Sequence, residues 1–173
     1  MDVSDAVRRR YSVRRYENRL VEGEKLLRVL EAARLAPSAA NRQEWRFVVV
    51  QDEATRRALA QAANGQAFVG EAPVVIVACA ADSEHMMPCG LPSFSIDVAI
   101  ALEHIALQAT EEGLGTCWIG AFDEAKVKEV VGVPEQVRVV ELMPLGYPAD
   151  EPRPKVRKEL GEIAMREQWG GSW

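Results

Sequence analysis

The chain has 173 residues, of which 48% are hydrophobic and 27% are charged, and its formal net charge is −5 at pH 7. These values are typical of one globular domain over residues 1–173, and they exclude a disordered or fibrous chain. The acidic balance argues against a nucleic-acid partner, because a phosphate backbone is usually bound by a basic domain. Since the sequence shows neither a signal peptide nor a run of about 18 apolar residues, we expect a cytoplasmic protein without a membrane partner.

In the first half of the chain, the spacing of apolar residues predicts helices that alternate with strands. A short helix is predicted over residues 4–10, and a second within "GEKLLRVLEAARLAP", which ends before Pro37. The valine-rich stretches "RFVVVQ" and "APVVIVACA" predict buried strands, which favours a sheet covered on both faces. Between them, "DEATRRALAQAAN" predicts a surface helix with Asp52 as its N-cap.

The second half begins with an irregular stretch, "DSEHMMPCGLPSFS", which predicts a loop. The helix that follows is predicted to begin at Ser95 as N-cap and to end at Gly113, and it is apolar around most of its circumference. Such a helix is central or lies in an interface. "LGTCWIGAF" and "VRVVELMPLGY" predict two more strands, separated by a helix between Asp123 and Gly132.

After Pro148 the sequence becomes a proline-rich, basic arm with little to bury in itself, so we expect the arm to wrap another surface. Taken alone, the alternation of helices and strands predicts a doubly wound parallel sheet.

The stretch "VRRRYSVRRY", residues 7–16, holds five arginines in an acidic protein. In an extended segment Arg10, Ser12 and Arg14 face the same way, and guanidinium and hydroxyl groups suit a phosphate. The alternative is a run of arginines that is simply solvated.

Two further segments suit a flat heterocycle. In "APSAANRQEWRF", Asn41 and Gln43 carry amides that both donate and accept hydrogen bonds, although such amides often satisfy their own loop. In "GLGTCWIGAF", Gly120 and Ala121 would let backbone N–H groups approach a ring, although a buried strand ending in a turn explains them equally.

The cysteines and histidines form no recognisable catalytic or metal pattern. We expect three reduced thiols, with Cys117 a small buried residue and not a nucleophile. His104 is predicted to be a satisfied residue of the central helix. His85 and Cys89 lack ligand spacing, so we predict no metal site, and a metal-binding regulator is the weakest alternative.

The order of the motifs closely resembles the nitroreductase family of FMN-dependent NAD(P)H oxidoreductases. The motifs are "RRYSVRRY", "APSAANRQEW", "GLGTCWIGAF", "MPLGYPADEPRP" and "KVRK", and the resemblance covers nearly the whole chain. It implies an α+β fold in place of the doubly wound sheet: a three-layer sandwich with a mixed, mostly antiparallel central sheet flanked by helices. It also implies a homodimer that exchanges extended C-terminal arms and holds FMN at its interface.

The resemblance assigns cofactor-binding residues to three groups. Those expected at the FMN phosphate are Arg10, Ser12, Arg14, Lys155 and Arg157, and Tyr11 beside them is also expected to bind the cofactor. Those expected to meet the flavin from the partner subunit are Pro37, Ser38, Ala39 and Asn41, with Gln43 as the glutamine of the motif. Ile119, Gly120 and Ala121 are expected to present backbone N–H groups near flavin N5. This chain departs from the family at Glu44, where many relatives have proline, and at Gly120, where some have an acidic residue.

By this resemblance, the expected activity is ping-pong transfer of electrons from NADH or NADPH through FMN to nitroaromatics, quinones or related small acceptors. The cofactor supplies the chemistry, so we name no catalytic residue. The loop over residues 83–95, with Met86, Met87 and Phe94, is the candidate substrate wall. The alternatives are a specialised dehydrogenase, dehalogenase or flavin reductase, and a flavin-binding redox sensor without rapid turnover.

Overall fold

A computed structural model describes residues 1–172 of the chain. Within that range the α-helices are α1 Val3–Arg9, α2 Gly23–Arg34, α3 Glu53–Ala62, α4 Ala67–Glu71, α5 Ser93–Glu111, α6 Glu124–Val131 and α7 Leu160–Ile163. The strands are β1 Trp45–Val50, β2 Val74–Ala80, β3 Gly115–Thr116 and β4 Arg138–Gly146, and a short 3₁₀ turn covers Ala39–Asn41.

The four strands form one sheet in the order β1-β2-β4-β3, and each neighbouring pair is antiparallel. The doubly wound parallel sheet predicted from periodicity is therefore wrong, and the α+β sandwich implied by the motifs is confirmed. Alternation of helices and strands does not set strand direction. Here α3 and α4 turn the chain back on itself, so that β2 begins beside the end of β1 and runs antiparallel to it. Val75 of β2 therefore pairs with Val50 of β1. Parallel pairing in residues 1–172 is limited to an isolated bridge between Ser12 and Thr116.

Helices cover both faces of the sheet, as the apolar strand β2 predicts. Every residue of β2 is buried. On one face Ile76 belongs to the same hydrophobic cluster as Leu102 of α5, and on the other Val75 belongs to the same cluster as Leu59 of α3. No helix in the described part of the chain is long and apolar enough to cross a membrane.

The predicted helix caps are confirmed in two of three cases. The Asp52 side chain accepts a hydrogen bond from the Thr55 N–H, and that of Asp123 accepts one from the Lys126 N–H. The predicted N-cap Ser95 is wrong, because α5 begins at Ser93, directly after Pro92. The Ser95 hydroxyl instead donates to the Pro92 carbonyl oxygen at 3.3 Å, from within the first turn.

Two predicted strands differ from the structure. β1 is an edge strand in which only Trp45 and Val50 are buried, whereas a wholly buried strand was expected. The stretch "LGTCWIGAF" contributes only β3 and an isolated bridge between Ile119 and Leu142, so most of it is irregular backbone held against β4. The C-terminal arm over residues 151–159 is exposed and contains neither helix nor strand, and its expected wrapping of another surface stays a prediction.

Candidate functional site

The N-terminal arginine segment and the C-terminal arm line one pocket of about 430 Å³. Its walls are Arg10, Tyr11, Ser12, Arg14, Asp150, Glu151, Arg153, Pro154, Lys155, Val156 and Arg157. We call it the basic pocket. All five residues expected at a phosphate therefore come together with Tyr11, although the N-terminal and C-terminal groups are separated by more than a hundred positions in the chain.

The arginine segment is held in place by pairing with β3. The Val13 N–H donates to the Thr116 carbonyl oxygen at 2.9 Å, and the Val13 side chain is fully buried. This contact needs Gly115, because a Cβ there would collide with the Val13 side chain. With Val13 turned into the core, Ser12 and Arg14 on either side of it are directed to the basic pocket, as the alternation in the sequence predicts.

The arm is fixed to the arginine segment through Asp150. The Tyr11 hydroxyl donates to the Asp150 main-chain oxygen at 2.7 Å, and the Arg14 N–H donates to the Asp150 carboxylate at 3.2 Å. Burial and the Asp150 carboxylate raise the pKa of Tyr11 to about 12, so this hydroxyl stays a donor at neutral pH. Lys155 Nζ donates to the carbonyl oxygen of Arg8, where α1 ends.

The basic pocket carries an excess of positive charge, because five cationic side chains line it against the two carboxylates of Asp150 and Glu151. Arg10 Nε is buried and has no hydrogen-bond partner within residues 1–172, and the carboxylate of Glu103 lies 3.8 Å from it. The pKa of Lys155 is lowered, mainly by partial burial and to a smaller extent by the positive charges of Arg10 and Arg157. An anion would pair with Arg10 and relieve the repulsion among these cations. The donor set therefore fits a phosphate group.

The second predicted segment forms a tight loop outside the basic pocket. Ala40, Asn41 and Gln43 have positive φ angles of 49°, 55° and 55°. The Ser38 hydroxyl accepts from the Gln43 N–H at 3.0 Å, and the buried Asp97 carboxylate of α5 accepts from the Ala39 N–H at 3.0 Å. Positive φ is costly for non-glycine residues, so these contacts hold the loop in one shape.

The sequence left two roles open for the amides of this loop: binding a flat ring, or satisfying the loop's own backbone. Gln43 Nε2 donates to the Asn41 carbonyl oxygen at 3.3 Å, so that amide satisfies its own loop. The Asn41 side chain is exposed and makes no hydrogen bond to residues 1–172. Within a single chain, none of the residues from Pro37 to Gln43 lines the basic pocket.

Glu44 has a structural role in this neighbourhood. It is 5% exposed and forms an ion pair with Arg42, which also contacts Asp82 at 2.6 Å. The carboxylate thus ties the loop to the end of β2, where the Glu44 carbonyl oxygen accepts from the Ala81 N–H at 2.9 Å.

The third predicted segment follows β3 and runs beside β4. Ile119 is buried and exchanges backbone hydrogen bonds with Leu142 at 3.0 and 3.1 Å. Gly120 and Ala121 are exposed, and their N–H groups donate to no acceptor in the described part of the chain. The Ala121 carbonyl oxygen accepts from Asn64 and Gln66 side chains, both at 3.3 Å, which anchors the turn. The N–H groups of Gly120 and Ala121 are thus left without an acceptor within residues 1–172, whereas the Ile119 N–H, which was also expected to be presented to a ring, donates to Leu142 and is not available.

Cysteine and histidine positions agree with the sequence analysis. Cys117 is 1% exposed, and burial raises its pKa, so it is a small buried residue and not an activated thiol. His104 Nδ1 lies 3.1 Å from the Ala32 carbonyl oxygen, which satisfies it. On the predicted substrate loop, His85 Nδ1 lies 3.0 Å from the Ser93 hydroxyl, while Met86 is 53% exposed.

Sequence reasoning missed three residues near these sites. Arg153 lines the basic pocket and shares the two-residue spacing of Lys155 and Arg157, a signal that was available. Glu141 interrupts the apolar strand "VRVVELMPLG", and burial alone raises its pKa to about 7. Asp150 gave no signal, because its partner Tyr11 is 139 positions away.

Comparisons with known proteins agree with this geometry. The family model described as "Nitroreductase family" matches residues 7–84 and 62–147. An NADH dehydrogenase of Thermus thermophilus is 34% identical to this chain, over 95% of the chain and 96% of that protein. An FMN reductase [NAD(P)H] of Bacillus subtilis is 30% identical, over 84% of the chain and 66% of that protein. A solved nitroreductase family protein of Clostridium difficile superposes with a TM-score of 0.88 at 34% identity, covering 97% of this chain and 99% of the other.

Proposed function

Because this chain belongs to the nitroreductase family, we propose that it passes electrons from NAD(P)H to nitroaromatics, quinones or related acceptors by a ping-pong mechanism. It is an NAD(P)H-dependent oxidoreductase with FMN as cofactor, like the relatives that carry those names. The observation that supports the proposal best is the basic pocket, where a buried Arg10 donor lacks an acceptor. FMN supplies the phosphate that this pocket fits.

The phosphate would be held by the guanidinium groups of Arg10 and Arg14, the Ser12 hydroxyl, and Lys155 and Arg157 from the arm. Charge-assisted hydrogen bonds of this kind are about twice as strong as neutral ones. Tyr11 also lines the pocket, and its expected contact with the cofactor stays a prediction. Its hydroxyl is engaged by Asp150, so it orders the pocket wall.

The flavin ring would lie against the exposed turn of Gly120 and Ala121, whose N–H groups have no acceptor within residues 1–172, next to buried Ile119. We propose that Pro37, Ser38, Ala39, Asn41 and Gln43 complete the site from the partner subunit of a homodimer. This is supported by the position of their loop, which is held by hydrogen bonds to Ser38 and Asp97 and leaves the Asn41 side chain exposed, but lies outside the basic pocket of its own chain.

When bound, FMN supplies the redox chemistry. The protein's own residues bind and orient it, and free backbone N–H groups favour added negative charge on the ring. Residues 83–95, with exposed Met86 and partly buried Phe94, remain the proposed wall for small acceptors.

The test uses purified protein loaded with FMN in the absence of oxygen. Addition of NADH or NADPH should bleach the visible flavin spectrum, and addition of a quinone or nitroaromatic should restore it. Steady-state rates at several donor concentrations should give parallel double-reciprocal lines. A flavin that stays oxidised with both donors would favour the redox sensor or the specialised enzyme. Light scattering that showed a flavin-bound monomer would contradict the shared site.

A further inference from the structure

We propose that the carboxylate of Glu141 takes up a proton when flavin bound at Gly120 and Ala121 is reduced, and releases it when the flavin is reoxidised. This inference rests on the proposed function, since it needs flavin at that turn. Glu141 belongs neither to the basic pocket nor to the predicted cofactor-binding residues.

Backbone register brings Glu141 to the turn. The bridge between Ile119 and Leu142 sets the two segments side by side, so the residues next to that pair, Gly120 and Glu141, are neighbours. A Cβ at Gly120 would lie 3.5 Å from one carboxylate oxygen of Glu141 and 3.8 Å from the other, with no other atom within 4 Å. Because Gly120 has no side chain, the carboxylate lies directly beside exposed backbone.

A change of register in β4 gives Glu141 its position. Ala78 of β2 pairs with Glu141, whereas the next residue, Cys79, pairs with Val139, so Val140 is left without a partner. An extra residue of this kind re-aims side chains and is common beside functional sites. Here it places a charged residue in a strand whose next four residues, 142–145, are all buried.

The carboxylate has no partner that would hold it in one protonation state. It is half-buried and accepts no hydrogen bond from residues 1–172, and no cation in that range pairs with it. The charge of Glu141 contributes to the raised pKa of the buried Cys117 thiol, which is mainly set by burial. Burial raises the pKa of Glu141 to about 7, so modest changes in local charge switch its protonation near neutral pH.

Reduction would be such a change. A hydride carries two electrons from the nicotinamide to the flavin, and the ring becomes more negative. That charge disfavours the Glu141 carboxylate, which takes a proton from solvent to become the neutral acid. Transfer of the electrons to the acceptor reverses both events. Since coupling is reciprocal, protonation of Glu141 also makes reduction more favourable.

The experiment compares FMN-loaded wild type with Glu141→Gln and with Glu129→Gln, which removes an exposed glutamate of α6. The flavin midpoint potential is measured between about pH 5.5 and about pH 8.5, around the Glu141 titration. In wild type and Glu129→Gln the potential should fall more steeply with pH than in Glu141→Gln, by about 30 mV per pH unit where one extra proton accompanies two electrons. Equal slopes in all three proteins would overturn the proposal.

A second measurement does not depend on the variant. Infrared difference spectra of wild type on reduction should show a protonated carboxyl band that appears and a carboxylate band that disappears, and their absence would also overturn the proposal. A protein that fails to bind FMN would instead contradict the proposed function. The two failures are therefore distinguishable.

Discussion

The hydroxyl of Tyr11 donates a hydrogen bond to the main-chain oxygen of Asp150 at 2.7 Å, and this contact joins the N-terminal arginine segment to the start of the C-terminal arm at the basic pocket. The same aspartate accepts from the Arg14 N–H, so one residue fixes both walls.

Tyr11→Phe should therefore loosen the arm and weaken FMN binding by about 2- to 10-fold, because a neutral hydrogen bond contributes about 0.5 to 1.5 kcal/mol. FMN fluorescence quenching gives the dissociation constant. Tyr147→Phe is the matched control, since that hydroxyl donates to Glu22 at 2.5 Å, outside the pocket. Equal effects of the two substitutions would show that Tyr11 does not order the pocket.

Arg14→Ala should weaken FMN binding by about 10- to 100-fold while the chain stays folded, because a hydrogen bond to a charged group contributes about 1.5 to 3 kcal/mol. Arg15→Ala removes the same charge from the next position, which does not line the basic pocket, and it should have a much smaller effect. Isothermal titration with FMN measures both. Full affinity in Arg14→Ala would mean that the phosphate lies elsewhere.

Gly115→Ala should destabilise the fold by about 1 to 3 kcal/mol, because the added methyl group overlaps the buried Val13 side chain. Urea unfolding measures the loss. Adding Val13→Ala should recover part of it, giving a favourable coupling energy between the two sites. Gly23→Ala, where nothing lies within 4 Å of the new Cβ, should leave stability nearly unchanged. Additive losses at positions 115 and 13 would contradict the contact.

Glu141→Gln should gain stability relative to wild type as pH rises from about 5 to about 8. Burial raises the pKa of Glu141 from 4.5 to about 7, so the folded chain holds this proton more tightly than the unfolded chain. The resulting stabilisation is complete below about pH 4.5 and is lost as pH rises through about 7. Urea unfolding with excess FMN, repeated on Glu129→Gln, measures the differences. A gap between Glu141→Gln and wild type that is the same at both pH values would contradict the assignment.

Local patterns predicted much of the fold. The caps at Asp52 and Asp123 depend on neighbouring residues, and the apolar run of β2 reports burial directly. Strand direction was not predictable from periodicity, because it depends on how α3 and α4 turn the chain. Ser95 was misassigned because a serine and a proline-ended turn both precede the apolar pattern.

Some residues of the candidate site were likewise predictable from local sequence, and others were not. The residues proposed to hold the phosphate carry a visible basic signal in the N-terminal segment and in the C-terminal arm, and the structure brings them together. Asp150 and Glu141 act through partners that are distant in sequence or through a register change in β4, and no short stretch of sequence encodes either contact.

The two walls of the basic pocket also differ in how well their backbone is protected from proteolysis. Arg10 and Arg14 flank a segment paired to the sheet, whereas Lys155 and Arg157 lie on exposed backbone without helix or strand. A protease would therefore cut the flavin-free protein in the arm first, because exposed irregular segments are cleaved most readily, and it would leave the α+β sandwich intact. A shortage of flavin would then inactivate the protein irreversibly, because a cleaved molecule keeps its fold but lacks the arm residues proposed to hold the phosphate, Lys155 and Arg157.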